Sequence, residues 1–194
     1  MPPDKSARTL RGPATFIRLG FCLLLAAFPL QAAELESRVL THYVPQDLLE
    51  TTVRTEGWTE IPLNVAGGVR KGDTVRIWAG GSIDRGNGDQ PGENCHGPEG
   101  LTGVKLEIDP KKLALSARAE HAFALLAKTE GAELHACKSP GKPLEIKLTK
   151  DKEKLWFGFN DERGRFADNH LGRGRRHELD PLWIRIEVVR VIVD

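Results

Sequence analysis

From Leu155 to Asn169 the chain reads LWFGFNDERGRFADN, an apolar half followed by a mostly polar half. The apolar half, 155–159, predicts a strand that is buried on both faces or lies at the centre of a sheet. The polar half contains residue types that tolerate tight or left-handed backbone, namely Asn160, Asp161, Gly164, Asp168 and Asn169. The pattern therefore predicts a short loop that presents two aspartates and two asparagines at the end of a strong strand.

Hard oxygen donors on a bent loop favour calcium, which takes about six to eight oxygen ligands at roughly 2.3–2.6 Å. The spacing is not that of an EF-hand, because Arg163 and Arg165 stand where that loop would need oxygen ligands. The loop is thus a candidate calcium site of another kind.

Strand-like patterns occur along most of the remaining chain. Runs with β-branched residues or alternating polarity cover 51–54, 60–65, 74–78 and 144–148, with glycine-rich turns between them. Short strands separated in this way predict an antiparallel β-sandwich or jelly roll over 51–194. Residues 113–120 favour a short helix or irregular turn, followed by a strand over 123–128. Residues 34–50 form an N-terminal extension with a short helical turn, which we expect to pack across the sandwich or join its edge.

Several of these segments, taken in order, resemble the PA-I-like galactose-binding lectin family. The loop itself carries the family's pattern of Asn-Asp, a turn through Gly, Asp-Asn and a final strand over 183–191. The resemblance extends upstream to most of the chain from about residue 50. The upstream matches are Gly57-Trp58, the turn at 69–75, Ile77 to Gly81, His96 to Gly100, and Phe123 to Lys128.

The resemblance implies an all-β sandwich with jelly-roll character and a bound calcium ion. It assigns side-chain oxygens of Asp161, Asp168 and Asn169 to the ion, together with the backbone carbonyls of Val69 and Arg165. Two carboxylates balance the charge of Ca²⁺, so that a neutral vicinal diol suits the remaining positions. The expected function is calcium-dependent binding of a galactose-type carbohydrate, without enzymatic activity.

The segment after Asn169 departs from the family pattern and suggests an alternative. Residues 170–181 form a basic insertion beside the candidate loop. Arginines are well suited to pair with carboxylates, and five lie in or near the loop: Arg163, Arg165, Arg173, Arg175 and Arg176. They either neutralise Asp161 and Asp168 in place of a metal, leaving a structural or adaptor sandwich, or let Arg173 and Arg175 bind an acidic glycan.

Other function classes have less support in the sequence. There is no Ser-His-Asp pattern, no H-E-x-x-H and no phosphate-binding loop, which argues against a hydrolase or nucleotide enzyme. The formal net charge of +1 includes a basic leader, and the remainder lacks the basic excess that nucleic-acid binding requires.

The N-terminal 33 residues are typical of a secretory signal peptide. Basic residues precede an apolar run from Leu19 to Leu30, and Ala32-Ala33 offers a small-residue cleavage site. The run is shorter than the ~20 residues that span a bilayer. Cleavage would also remove it, so no stable membrane insertion of the mature protein is expected. The alternative is an uncleaved anchor. The mature protein is predicted to be periplasmic or secreted.

Cleavage would leave two cysteines, Cys95 and Cys137. In an oxidising compartment an even pair favours a disulfide bond. The alternatives are two free thiols, or a metal site that also uses His96, although C-x-x-C spacing is absent.

Overall fold

Alternation of buried and exposed side chains organises the longest strands of the protein. The computed structural model describes residues 35–86, 95–101, 109–130, 133–138, 141–172 and 180–192. The elements in chain order are β1 Leu35–Tyr43, α1 Gln46–Arg54, β2 Thr59–Ile61, β3 Thr74–Gly80, β4 Ile83–Asp84, β5 Cys95–His96, β6 Leu125–Thr129, β7 His135–Ala136, β8 Leu144–Lys147, β9 Leu155–Phe159, β10 His170–Leu171 and β11 Trp183–Ile192, with two 3₁₀ turns at Pro110–Lys112 and Ala119–His121.

The strands form two four-stranded sheets and one three-stranded sheet. The strand orders are β1-β11-β3-β8, β2-β9-β6-β7 and β10-β4-β5, and the pairs between these strands are antiparallel. Eight strands in two sheets, with neighbours that are not consecutive in sequence, are the arrangement of a jelly-roll sandwich. The predicted all-β fold is confirmed.

The core is built from the inward-facing residues of the two four-stranded sheets. In β11, Ile184, Ile186 and Val188 are fully buried, while the residues between them face the other side of the sheet. In β9, Leu155, Phe157 and Phe159 are likewise fully buried. Strand β9 lies inside its sheet between β2 and β6, as its apolar sequence predicts.

The secondary structure of residues 51–54 differs from the prediction. Residues 51–54 were expected to be a strand, but they complete helix α1, which directly follows Pro45. The helical spacing of Leu49, Thr52 and Val53 buries all three side chains, and this packing outweighs the β preference of Thr and Val. Residues 35–43 pair with β11 and form the edge of the first sheet. Of the two expectations for the N-terminal extension, the one in which it joins the edge of the sandwich is confirmed.

The described residues all belong to one compact unit, Ala33–Asp194. Within the described part of the chain, no helix is long and apolar enough to cross a membrane.

Candidate metal and ligand site

The candidate site begins where β9 ends, and Asn160 fixes the chain at that point. Its Oδ1 accepts hydrogen bonds from the Leu115 and Ser116 amides at 2.9 and 3.0 Å. Its Nδ2 donates to the carbonyls of Ser116 and His121 at 3.0 and 2.8 Å. Asn160 is fully buried, so these four bonds satisfy its amide and hold the 114–121 segment against the end of β9. Asn160 is therefore a structural residue of the loop.

Asp161 follows directly and is 3 % exposed. Its Oδ1 accepts a hydrogen bond from the Glu162 amide at 2.6 Å, and its Oδ2 is buried without a hydrogen-bond partner among the described residues. Burial raises the pKa of this carboxyl, although the Glu162 amide, the Asn169 side chain and Arg85 act in the opposite direction. Burial outweighs these three contributions, so the structure holds a desolvated carboxylate that the described protein groups compensate only in part.

Asn169 places a second oxygen at the site. The residue is fully buried, and its Nδ2 donates to the Val53 carbonyl at 2.9 Å, which fixes the amide orientation. Its Oδ1 is then buried with no hydrogen-bond partner in the described part of the chain. The influence of Asn169 on the pKa of Asp161 places the two side chains next to each other.

Asp168 is half-buried and directly precedes Asn169 on the loop. Its negative charge contributes to the raised pKa of Asp161. It also packs closely on Gly86, where a Cβ atom would come within 2.7 Å of the Asp168 Cβ and carbonyl oxygen. The absence of a side chain at Gly86 therefore lets the segment after β4 approach the 160–169 loop. The three side chains predicted as ligands lie on one loop, and both Asp168 and Asn169 are close enough to Asp161 to affect the pKa of its carboxyl.

Arg85 is a site residue that the sequence analysis missed. It follows β4, is half-buried, and places its guanidinium carbon 4.1 Å from the centre of the Phe123 ring. Its charge lowers the pKa of Asp161, so it lies near that carboxylate. The available sequence signal was its position in a glycine-rich stretch, between Gly81 and Gly86, but nothing there singles out this arginine.

The two predicted backbone ligands lie in different places. The Val69 carbonyl accepts a hydrogen bond from the Lys152 amide at 2.9 Å, so it lies near the turn that precedes β9. Asp161 lies beyond the other end of β9, a strand whose five residues span roughly 16 Å. Arg165 is part of the candidate loop, where its amide donates to the Glu162 carbonyl at 3.0 Å. Val69 is thus not brought to the site, whereas Arg165 is on it.

Of the five arginines predicted to neutralise the loop aspartates, the structure describes two, Arg163 and Arg165. The exposed Arg165 side chain reaches Glu162 at 4.0 Å, and the Arg163 amide donates to the Lys112 carbonyl. Arg173, Arg175 and Arg176 lie outside the described residues.

Cys95 and Cys137 are free thiols, so the predicted disulfide is wrong in this structure. Cys95 lies on β5 beside Ser82 and Asp84, whereas Cys137 follows β7 and its amide bonds to the Leu125 carbonyl. Burial raises the pKa of the Cys137 thiol to about 12. The two cysteines belong to different sheets and are held there by separate strand pairings.

Within the described residues, no group of three His, Cys, Asp or Glu side chains could hold a metal ion on its own. This also excludes the alternative metal site with His96 for that part of the chain. A cation at the 160–169 loop would instead need amide and backbone oxygens in addition to Asp161 and Asp168. Such a mixed oxygen set is the type that calcium accepts.

No protein-family model matches the chain, and no curated protein matches it. Among solved structures, the chain is similar to one described as "EclA N-terminal domain; PllA-like lectin", with 16% sequence identity, a TM-score of 0.40, and coverage of 80% of this chain and 98% of that chain.

Proposed function

We propose that the 160–169 loop binds calcium and, through it, a carbohydrate. The observation that carries the proposal is the pair of buried oxygens, Asp161 Oδ2 and Asn169 Oδ1, that lack partners among the described residues. Leaving a buried acceptor unsatisfied costs about 1–3 kcal/mol, and more for a charged group. A cation between them would satisfy both.

The chemistry of the loop fits a hard divalent ion. Asp161 and Asp168 supply two negative charges, Asn169 supplies a neutral oxygen, and the Arg165 carbonyl is on the same loop. These oxygens leave part of a calcium shell of six to eight ligands for water or substrate. Val69 is not included, because its carbonyl lies beside the opposite end of β9.

A ligand that completes the shell must bring neutral oxygens, since the two aspartates already balance the ion. Vicinal hydroxyls of a sugar meet this requirement, and the sequence resemblance to galactose-binding lectins supports a galactose-type sugar. Export to the periplasm or outside the cell, supported by the leader-like N-terminus, would place the protein where such glycans and calcium occur. The role is binding rather than catalysis.

One observation favours a second candidate function. Arg85 is near Asp161 and lowers the pKa of that carboxyl. An arginine that pairs with the loop aspartates would occupy the place of the cation, and the domain would then be a structural or adaptor sandwich without sugar binding. The predicted substitution of metal by arginine would thus involve Arg85, which is nearer in the fold than the sequence suggests.

The experiment is retention of the exported domain on immobilised galactose in calcium, followed by elution with EDTA. Calcium-dependent retention of the wild type, lost in Asp168→Asn, supports the lectin function. Arg85→Met is the informative companion variant, because its expected effect differs between the two candidates. It retains or strengthens calcium binding if Arg85 only flanks the site. If Arg85 replaces the ion, the wild type is not retained and only the variant responds to calcium.

A further inference from the structure

The sheet β1-β11-β3-β8 carries a row of aromatic and arginine side chains on the face opposite the core. Tyr43 of β1, Arg185 of β11 and Trp78 of β3 are direct cross-strand partners. Their neighbours along β11 and β3, Ile184, Ile186, Ile77 and Ala79, are buried in the core. Because side chains alternate along a strand, Tyr43, Arg185 and Trp78 share the outer face.

Trp183 extends this row to four side chains, which we call the aromatic platform: Tyr43, Trp78, Trp183 and Arg185. The rings of Tyr43 and Trp183 meet edge to face, with 6.4 Å between centroids. Opposite Trp183 lies Gly80, where a Cβ atom would come within 2.5 Å of the Trp183 ring. The indole therefore lies on the glycine backbone instead of standing away from the sheet.

Arg185 lies at the centre of the platform, between Tyr43 on β1 and Trp78 on β3. Its guanidinium carbon lies 4.3 Å from the centre of the Trp78 ring, a cation–π contact that orients the indole. Tyr43 remains 63% exposed, while both tryptophans are half-buried. Large aromatic side chains grouped and partly exposed on one face are typical of binding surfaces, since their burial by a ligand is favourable.

The charges around the platform are largely compensated. Buried Glu187 lies 3.6 Å from both Arg38 and Arg185, and Arg76 pairs with Glu145 at 2.8 Å. These three arginines and two glutamates leave one positive charge, whereas a polyanion such as a nucleic acid requires a concentrated basic excess. The charge pattern favours a neutral ligand that has both an apolar face and hydrogen-bonding groups.

We propose that the aromatic platform binds a neutral oligosaccharide, independently of the 160–169 loop. One face of a pyranose ring presents C–H groups, which suit the negative face of an indole or phenol ring. Arg185, held by Glu187 and Trp78, is placed to donate hydrogen bonds to hydroxyls at the rim of the ring. The platform requires no metal, so it does not rest on the proposed calcium function.

The test is affinity electrophoresis of the exported domain in EDTA, in native gels that contain β-1,4-galactan, β-glucan or mannan, with polygalacturonate as the acidic comparison. The wild type is expected to be retarded by at least one neutral polysaccharide. Trp78→Ala, and Tyr43→Ser as the variant least able to disturb folding, should each weaken that binding about tenfold. Trp156→Ala is the matched control, because it removes a half-buried tryptophan from strand β9, which belongs to the other four-stranded sheet. The Trp156 ring also has a cationic neighbour, with 5.9 Å between its centroid and Lys128 Nζ.

Several results would overturn the proposal. These are no retardation of the wild type by any neutral polysaccharide, retardation by polygalacturonate alone, or equal retardation of wild type, Trp78→Ala and Tyr43→Ser. A wild-type dimer in solution that Tyr43→Ser converts to a monomer would assign the platform to a second copy of this chain. Retardation that persists in EDTA separates the two sites, since binding through a calcium ion at the 160–169 loop would be lost there.

Discussion

Asp161 and Asn169 lie side by side, and each has one buried side-chain oxygen, Oδ2 of Asp161 and Oδ1 of Asn169, with no hydrogen-bond donor within bonding geometry among the described residues. The neighbouring Asn169 side chain lowers the pKa of Asp161, but burial outweighs this effect. Each residue is anchored through its other polar atom, Asp161 by the Glu162 amide and Asn169 by the Val53 carbonyl. The unsatisfied oxygens are therefore held in place by the fold and cannot easily turn toward solvent. This pre-organisation is what a cation site requires, and it is costly for a site that binds none.

Asp161→Asn should stabilise the domain in EDTA at neutral pH. Burial raises the pKa of Asp161 above its ordinary value of 3.8. The folded state therefore resists ionisation, and stability is lost as pH rises from the unfolded pKa through the folded one. Asparagine removes this penalty with little change in shape.

Thermal unfolding in EDTA at pH 4 and pH 7 measures this effect. The gain in Tm should be larger at pH 7, because that pH lies further above the unfolded pKa of the carboxyl than pH 4 does. A lower Tm for the variant at pH 7 would indicate that Arg85 or another group already compensates the carboxylate.

His96 should stay neutral well below its ordinary pKa. Burial, together with the charge of Arg85, lowers its pKa from 6.5 to about 4, and its ring stacks on Phe123 at 5.9 Å. Since unfolding frees the imidazole to bind a proton, His96 lowers stability progressively as pH falls from about 6.5 toward 4. NMR titration of the imidazole checks the value. Arg85→Met should raise this pKa, and an unchanged value would contradict the proximity of the Arg85 charge to His96.

The ion pair of Asp73 with Arg190 should contribute substantially to the free energy of unfolding, because it joins the start of β3 to β11. Arg190 Nε and Nη2 donate to the two carboxylate oxygens at 2.8 and 2.7 Å, and Asp73 is 2% exposed. Asp73→Ala leaves the arginine without its partner, so we expect a loss of about 3 kcal/mol in urea unfolding.

This pair also predicts a pH dependence. Burial alone would raise the pKa of Asp73, but Arg190 and the Arg70 amide outweigh it and hold the pKa below 3.8. Its contribution to stability is present above that pH and is lost as pH falls through the folded pKa. Asp151→Ala is a suitable control, because that carboxylate accepts only an exposed bond from the Lys71 amide. Equal losses for the two variants would contradict the account.

The amount of structure that the sequence could predict depended on how local the signal was. Strand β9 and the polar loop that carries Asp161, Asp168 and Asn169 follow from short apolar and turn-forming patterns, whereas strand β11 was predicted from the family resemblance. Helix α1 was only half predicted, because the packing of Val53 and Thr52 overrides their local β preference. Arg85 was missed because its role arises from the pairing of β4 with β10, a contact between distant segments that spacing along the chain does not reveal.

Both thiols should be free in the native protein but differ in reactivity. Burial raises the pKa of Cys137 to about 12, and burial with the nearby Asp84 raises that of Cys95. Iodoacetamide should therefore label half-buried Cys95 slowly and Cys137 only after unfolding. Mass spectrometry of labelled peptides from exported protein checks this expectation. A peptide pair linked through Cys95 and Cys137 would restore the disulfide predicted from the sequence.

Calcium titration of the exported domain, followed by thermal unfolding, tests the central claim most directly. A ligand that binds only the folded state raises Tm as its concentration increases. With millimolar-scale calcium, which matches the ~10⁻⁴–10⁻³ M affinities of extracellular calcium modules, the wild type should gain several degrees and Asp161→Asn should gain none. Magnesium at the same concentration is the ionic-strength control. A wild-type Tm that does not change with calcium, or an equal rise in Asp161→Asn, would contradict the assignment of a calcium site to the 160–169 loop.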